Sequence, residues 1–246
     1  MSKKSLAFNN KRIKAILIDS GRVLNEPVTG SWFITPNFFN YVDRKKFDSI
    51  SPLQKREALS KAGEYISKQN LIVNEEEEYT HFFQYYNIFS KCLPQLKLKE
   101  EDVKSITRDL VYNYNKYAFF KDVIELIPKL SKKYKLAVVS DAWPSLENVF
   151  INANLRDYFS SFVVSSIKGV TKPDELMYKA ALEELDVSAE ESIFIDDSIR
   201  NCEGAIKLGI KSFVLCRDWR LYIYNKFAYR NYSIIKNLYA IDKILG

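Results

Sequence analysis

The stretch SIFIDDSIRNCEGAIKLG, residues 192–209, joins an apolar run to a helical pattern through two adjacent acids. The run SIFI leads directly into Asp196 and Asp197. The residues that follow, 199–208, predict a helix, and Gly209 is the kind of residue that ends one. A buried strand followed by a helix is the repeating unit of an α/β fold.

The same arrangement recurs along the chain, where short apolar runs are followed by small or polar residues and then by helical patterns. The other runs are AILID (15–19), KLAVVSD (135–141), SFVVSS (161–166) and KSFVLCRD (211–218). Continuous apolar strands of this kind are typical of a parallel sheet covered on both faces. The sequence therefore predicts an α/β fold with a parallel-sheet core.

The first connection between these runs differs from the others because more than a hundred residues separate Asp19 from the run at 135. Residues 36–118 have helical patterns, and a compact domain does not tolerate so long a simple connection. We expect a helical insertion with its own small core. Residues 1–26 and 119–246 are then the core domain, and residues 27–118 are the insertion.

Two features of this insertion are interpreted as structural. The acidic run Glu75–Glu78 predicts the start of a helix, where negative charge complements the helix dipole. His81 is the only histidine of the chain and lies in an aromatic helical stretch. We interpret it as a packed or partly exposed helix residue and not as a catalytic group.

Composition excludes several classes of protein. The net charge of +6 comes from lysines spread along the chain, without a basic-aromatic cluster or nucleic-acid motif. No apolar run is long enough to span a bilayer, and residues 1–12 lack the apolar stretch of a signal peptide. Cys92, Cys202 and Cys216 show no paired spacing. We expect a cytoplasmic protein with no nucleic-acid or membrane partner; no oligomeric state is predicted.

Polar side chains stand at the carboxyl ends of the predicted strands, where ligands bind in open parallel sheets. They are Asp19, Ser140 with Asp141, and Asp196 with Asp197; Lys172 lies in a loop just before a helix. The set combines a nucleophilic carboxylate, a hydroxyl, an ammonium and an acidic pair. It matches phosphoryl transfer assisted by a magnesium ion.

Each group has a physical role in that chemistry. A carboxylate attacks a phosphate monoester only where cations offset the charge and hold the atoms in line. Magnesium takes oxygen ligands, which carboxylates from two strands supply. Lys172 serves as a point charge, and the Ser140 hydroxyl can hold a phosphate oxygen. Asp19 would form an aspartyl-phosphate that water then hydrolyses.

Four motifs in order, ILIDSGRVL, LAVVSDA, GVTKPDELMYKAAL and IFIDDSIRNCEGAIKLGI, resemble those of the haloacid dehalogenase superfamily. The branch is the one with a helical cap after the first strand, and the resemblance covers residues 12–26 and 119–216. It implies a Rossmann-like core with Asp19 as the nucleophile. The implied ligand sets are Ser140, Asp141 and Lys172 for phosphate, and Asp19, Asp196, Asp197 and the Gly21 carbonyl for magnesium.

Gly21 departs from the resemblance, because typical phosphatases of the family have a second aspartate there as general acid and base. Three interpretations stay open. The protein is a phosphatase of a small phosphorylated metabolite that manages without this residue, a dehalogenase, or a binding module with little turnover. Dehalogenases of the family lack the metal-binding acidic pair, which this chain keeps, and the retained motifs favour the phosphatase.

Residues 25–39, NEPVTGSWFITPNFF, lead from the first strand into the insertion and so cross the mouth of the site. Thr29, Trp32 and Phe33 are candidates for substrate selection, since caps of the family govern specificity. A hinge with a hydrophobic anchor is the alternative for this stretch. Arg22 is a further candidate through its guanidinium, with a surface salt bridge as the alternative.

The C-terminal segment 217–246 lies beyond the recognised motifs and is rich in aromatic residues. We expect it to pack as a terminal helix, with SIIKNLYAIDKIL as its periodic part.

Overall fold

The structure is a computed structural model and describes residues 13–246. A six-stranded parallel sheet has the order β5-β4-β1-β6-β7-β8, and β2 pairs antiparallel with β3 in a separate ribbon. The strands are β1 (Ala15–Ile18), β2 (Asn25–Pro27), β3 (Tyr117–Phe119), β4 (Lys135–Ser140), β5 (Ser161–Val164), β6 (Ser192–Asp196), β7 (Lys211–Leu215) and β8 (Ser233–Ile235). The expected α/β fold with a parallel Rossmann-like sheet is confirmed.

The α-helices divide between the insertion and the core. Those between β2 and β3 are α1 (Phe38–Tyr41), α2 (Arg44–Ser49), α3 (Pro52–Ile66), α4 (Glu75–Cys92) and α5 (Glu100–Tyr112). Those of the core are α6 (Lys121–Leu130), α7 (Ser145–Asn152), α8 (Ser165–Lys168), α9 (Glu175–Leu185), α10 (Ile199–Lys207), α11 (Trp219–Ala228) and α12 (Tyr239–Leu245).

Strand β1 is apolar throughout because it is buried on both faces of the sheet. Ile16 and Ile18 pack into a cluster with α6, α7 and α12, while Ala15 and Leu17 pack into a second cluster with α9 and α10. Successive side chains of a strand point to opposite faces, so a central strand covered on both sides has no polar positions. All four residues are 0% exposed. The ends of the strand are the only places left for polar groups.

The chain leaves and re-enters the core through the β2–β3 ribbon, which pairs Asn25 with Phe119 and Pro27 with Tyr117. Between these strands, α1–α5 enclose a third apolar cluster that includes Phe38, Phe82 and Tyr85. The predicted boundaries at 27 and 118 fall within the ribbon. The division into a core domain and an insertion domain stays a prediction.

The first turn of α4 begins as the acidic run predicted. The Asn74 side chain accepts a hydrogen bond from Glu77 N, and four glutamates fill the first turn. One of them, Glu78, is buried and contacts the core: its carboxylate accepts hydrogen bonds from Ser145 N at 2.8 Å and Ser145 Oγ at 2.7 Å. Lys116 Nζ donates to the same Ser145 Oγ at 2.7 Å. We call Glu78, Ser145 and Lys116 the junction cluster.

The expectation of one terminal helix over 217–246 is wrong. The segment forms α11, then β8, then α12, and β8 extends the sheet by pairing Val214 with Ile234 and Leu215 with Ile235. Ile234 and Ile235 are buried at the sheet edge, and pairing there satisfies backbone groups that a helix would have satisfied internally.

Two expectations concern the chain ends and membranes. Across residues 13–246, no helix is long and apolar enough to cross a bilayer. The predicted lack of a signal peptide concerns residues 1–12, which lie outside the described residues. The first part of the predicted core domain, up to residue 12, lies there as well.

Candidate active site

Asp19 follows β1 directly and is held by its backbone, whose N–H donates to Ile195 O of β6 at 2.9 Å. Its side chain faces Lys172, and Lys172 Nζ donates to Asp19 Oδ1 at 2.6 Å and to Asp196 Oδ2 at 2.7 Å. The ammonium is buried with only 5% of the residue exposed. Residues 153 positions apart therefore form one ion cluster at the carboxyl edge of the sheet.

The two acids after β6 have different surroundings. Asp196 is 0% exposed, and its oxygens accept hydrogen bonds from Lys172, from Ser198 N at 2.7 Å and from Asn201 Nδ2 at 3.1 and 3.2 Å. Asp197 is partly exposed and lines the cleft above the cluster. The pair thus supplies one anchored acid behind the site and one acid that faces it.

Ser140 ends β4 and is buried beside Asp19 and Lys172 along the same cleft. Asp141 also lines the cleft, and its Oδ1 accepts a hydrogen bond from Lys172 N at 2.9 Å. The observed contact of Asp141 is therefore with the loop that carries Lys172, and an ionised carboxylate can only accept hydrogen bonds. Its predicted contact with phosphate stays a prediction.

Burial and neighbouring charge set the protonation of the cluster. Burial raises the pKa of Asp19 to about 7, although Lys172 acts in the opposite direction. Burial, and then the charge of Asp196, raises the pKa of Asp197. Burial alone would lower the pKa of Lys172, but Asp19 and Asp196 outweigh it and raise the pKa. The ammonium therefore stays charged between the carboxylates.

The residues present fit a divalent cation. Asp19, Asp196 and Asp197 each offer a carboxylate oxygen, and these three oxygens lie within 4.8 Å of one another. Lys172 supplies one positive charge to three carboxylates, and a second cation, Arg22, has its Nη1 3.7 Å from Asp197 Oδ2. A hard cation with oxygen ligands would balance the remaining negative charge.

The cluster forms the floor of a cleft of about 330 Å³. Gly21 and Trp32 both line it, and a Cβ added at Gly21 would lie 3.3 Å from the Trp32 indole. Arg22 is exposed, lines the cleft and pairs with Asp197, so its role in substrate selection stays a prediction beside the salt bridge. Thr29 does not line the cleft, since its hydroxyl donates to Ser31 O at 3.0 Å and Ile34 O at 2.5 Å within its own loop.

The cleft includes residues that the sequence analysis did not select. They are Asn25, Tyr117, Trp143, Ser145 and Leu146. A signal for Trp143 was present, because it stands two residues after Asp141. Tyr117 is the counterpart of Trp32 at the return of the insertion, where the chain crosses the cleft a second time.

His81 has the structural role that was expected. It lies in α4, is partly buried, and its Nδ1 is 3.1 Å from Tyr65 OH. It is not among the residues that line the cleft.

The family model of haloacid dehalogenase-like hydrolases matches residues 37–215, well over half of the chain. The chain belongs to this family. The match begins after Asp19, so it does not cover this residue, and the role of Asp19 as nucleophile stays a prediction from the first motif.

Curated relatives of the hydrolase are phosphatases at low identity. Glyceraldehyde 3-phosphate phosphatases of Pyrococcus abyssi and Pyrococcus furiosus are 26% identical over 109 residues and 25% over 142. These alignments cover 42% and 55% of this chain, and the chain spans about half of those relatives, 46% and 58%. A sesquiterpene phosphatase of Aspergillus oryzae is 37% identical over 54 residues, 22% of this chain and 28% of the relative.

Solved structures share the fold of the hydrolase. A HAD phosphatase of Thermococcus onnurineus aligns with a TM-score of 0.63 at 22% identity, over 95% of this chain and 98% of the other. The L-2-haloacid dehalogenase of Xanthobacter autotrophicus aligns with 0.64 at 16%, over the same shares. A HAD family enzyme of Bacteroides thetaiotaomicron, in complex with magnesium and inorganic phosphate, aligns with 0.57 at 19%, over 84% and 97%. These likenesses establish the fold.

Proposed function

We propose that the hydrolase is a magnesium-dependent phosphatase that acts on a small phosphorylated metabolite through an aspartyl-phosphate. The observation that carries the proposal is the buried contact of Lys172 Nζ with Asp19 Oδ1 at 2.6 Å, next to the acidic group at the floor of the cleft. A nucleophilic carboxylate beside a fixed cation is what attack on a phosphate ester requires.

In the first step an oxygen of Asp19 attacks phosphorus while the bond from phosphorus to the ester oxygen breaks. Lys172 and the Ser140 hydroxyl hold the oxygens of the transferring group, since both face the same cleft. In the second step a water molecule attacks the phosphorus of the aspartyl-phosphate, and phosphate leaves. The proton released by this water balances the one taken up by the departing alcohol.

Magnesium would be held by Asp19 and Asp197, with Asp196 behind them and the carbonyl of Gly21 as the resemblance implies. When bound, the ion would offset the charge of the phosphoryl group and of the carboxylates. The contacts of Asp196 with Ser198 N and Asn201 Nδ2 keep that acid in place whether or not an ion is present.

Residues 27–118 would act as the cap of this site. Trp32 and Phe33 lie near the start of the insertion and Tyr117 lies near its end, and all three line the cleft. A substrate that reaches Asp19 therefore contacts side chains from both ends of the insertion, which supports a role of the insertion in specificity.

The family also contains dehalogenases, one of which aligns above. The acidic group favours the phosphatase, because expulsion of a halide from carbon has no need of a magnesium ion, whereas phosphoryl transfer does. A binding module without turnover is the remaining alternative.

The test is phosphate release by the purified full-length protein from a panel of phosphomonoesters, with magnesium and with chelator. The panel includes glyceraldehyde 3-phosphate and a sesquiterpenyl phosphate because the named relatives act on such compounds. Haloacids are assayed in parallel, and an Asp19→Asn variant is the control. We expect turnover that needs magnesium and is lost in the variant.

Equal rates in the Asp19→Asn variant would contradict the proposed nucleophile. Halide release without phosphate release would identify a dehalogenase. No turnover on either panel would favour the binding module.

A further inference from the structure

The cleft above the ion cluster has an apolar wall. The wall residues are Trp32, Phe33, Tyr117, Ala142, Trp143 and Leu146. Trp32 meets Tyr117 edge to face with ring centroids 5.1 Å apart, and Phe33 meets Trp143 in the same way at 6.2 Å. Aromatic contacts of this geometry fix the rings that a ligand would touch.

The charged side chains that line the cleft are confined to its floor and edge, and its cations are already paired. Lys172 lies between Asp19 and Asp196, and Arg22 pairs with Asp197. Lys172 would hold the transferring phosphate, which leaves Arg22 as the one further cation among the described lining residues, and its side chain is 70% exposed and paired with Asp197. The apolar wall therefore favours an uncharged and apolar group beyond the phosphate.

Trp32 also fills the space next to Gly21. A Cβ at Gly21 would meet two atoms of the indole at 3.3 and 3.4 Å, so the place of an acidic side chain is occupied by an aromatic ring. The wall offers no substitute acid of useful strength, since burial raises the pKa of Tyr117 and weakens it as a proton donor. Asp141, which also lines the cleft, accepts a hydrogen bond from Lys172 N with its Oδ1 at 2.9 Å.

Without a proton donor at this point, the ester oxygen departs with most of its negative charge. The acidity constant of a phenol is about six powers of ten larger than that of an aliphatic alcohol, whose acidity is close to that of water. A phenol is therefore the better leaving group when no proton is supplied. General acid catalysis, which would hide this difference, is usually worth about 10²–10⁴ in rate. A glycine at position 21 therefore matches esters whose leaving group is a phenol.

We infer that the substrate is a small aryl phosphate, the phosphate monoester of an uncharged phenol. Its ring lies against the apolar wall, between the side chains of Trp32 and Trp143. The inference rests on the proposed phosphatase activity. It joins two observations that share Trp32, the apolar wall and the indole beside Gly21.

The test compares three esters on the full-length enzyme with magnesium. Phenyl phosphate and benzyl phosphate both carry one ring, but only the first has a phenolic leaving group; glycerol 3-phosphate is aliphatic and polar. We expect kcat/KM to be about 100-fold higher for phenyl than for benzyl phosphate. We expect benzyl phosphate to exceed glycerol 3-phosphate about 10-fold through its contact with the wall.

Two variants separate the wall from the leaving group. Trp32→Ala should remove most of the preference of benzyl over glycerol 3-phosphate, while Trp219→Ala, an exposed tryptophan outside the cleft, should leave it unchanged. Gly21→Asp combined with Trp32→Ala places an acid where room has been made. It should reduce the preference of phenyl over benzyl phosphate at least 10-fold.

The outcomes distinguish this inference from the proposed function. Asp19-dependent turnover with glycerol 3-phosphate as the best ester, or a phenyl to benzyl ratio below about 10, would overturn the substrate class and keep the phosphatase. A phosphotyrosine peptide hydrolysed faster than phenyl phosphate would move the same chemistry to a protein substrate and overturn the small-molecule part. No turnover on any ester would overturn both proposals.

Discussion

Lys116 and Lys172 are buried to the same extent, each 5% exposed, yet their surroundings act on them in opposite directions. Lys172 Nζ meets two carboxylates directly, at 2.6 and 2.7 Å, and they raise its pKa. Lys116 Nζ donates to Leu110 O at 2.5 Å and to Ser145 Oγ at 2.7 Å, and burial lowers its pKa to about 8.

The difference shows what a buried ammonium needs in order to stay charged. Glu78 reaches Lys116 through the Ser145 hydroxyl, and an acid one residue removed attracts the ammonium less than a carboxylate in contact. The candidate active site therefore holds a fixed positive charge, while the ammonium of the junction cluster has a pKa of about 8.

The largest expected effect comes from removing the fixed charge. Lys172→Met should lower phosphate release about 10²–10³-fold or more, because the transferring group loses its cation and Asp19 and Asp196 lose their shared partner. Lys116→Met should keep the rate within about 10-fold, since its ammonium donates to the junction cluster and not to Asp19. Steady-state rates on the best ester, with circular dichroism as a check on folding, measure both.

If Lys116→Met abolished activity as completely as Lys172→Met, the two lysines would not differ in function as their contacts do.

The second effect is on stability against pH. Lys116 has an ordinary pKa of 10.5 when the chain is unfolded and one of about 8 when it is folded. Between these values the unfolded chain binds the extra proton, so rising pH favours the folded state. The interval corresponds to about 3 kcal/mol of unfolding free energy. We expect the wild type to gain this stability relative to Lys116→Met between pH 8 and 10.5.

Denaturant unfolding at a series of pH values measures this difference. Subtracting the unfolding free energy of the variant from that of the wild type removes the contributions of the other lysines and of the tyrosines. A difference that stays constant with pH would show that Lys116 titrates as in the unfolded chain.

A smaller effect follows from removing the hydroxyl that links the junction cluster. Ser145→Ala should lower the unfolding free energy by about 1–3 kcal/mol, because Glu78 and Lys116 both lose a buried partner. Ser192→Ala is the matched control, since that hydroxyl is equally buried but donates only to Ala189 O at 2.8 Å. Its expected cost is about 1 kcal/mol. Equal costs would mean that the link between the two charged groups adds nothing.

The smallest effect concerns the exposed cation at the edge of the site. Arg22 pairs with Asp197 at 3.7 Å and its side chain is 70% exposed; Arg44 pairs with Asp48 at 3.6 Å with the same exposure, far from the cleft. Arg22→Ala and Arg44→Ala should each change the unfolding free energy by less than about 1 kcal/mol. We also expect KM to stay within about 2-fold in both, since an exposed pair contributes little. A KM raised about 10-fold in Arg22→Ala alone would assign Arg22 to substrate binding.

The groups of the ion cluster were predictable from the sequence, because the acids follow apolar runs and Lys172 stands just before a predicted helix. The periodicity identifies the strand that Asp19 follows and those that end at Ser140 and Asp196, and parallel strands bring their carboxyl ends to one edge. What could not be predicted is which of two adjacent acids faces the cleft. That depends on Asn201 and Ser198 holding Asp196, which only the folded chain decides.

The junction cluster and the last strand show why other features could not be predicted from the sequence. Glu78 and Ser145 are 67 positions apart, and the acidic run around Glu78 reads as an ordinary helix start. In β8, Ile234 and Ile235 are too short a run to distinguish a strand from the helix that follows. Both depend on tertiary contacts that local periodicity does not record.

The β2–β3 ribbon has a consequence for how such a chain can change over generations. Because Pro27 pairs with Tyr117, the two ends of the 89-residue segment 28–116 start from neighbouring strands, about 5 Å apart. Lengthening, shortening or replacing that segment alters no connection within the parallel sheet. Selection can therefore revise the inserted segment, while the parallel sheet that positions Asp19, Ser140 and Asp196 is inherited intact.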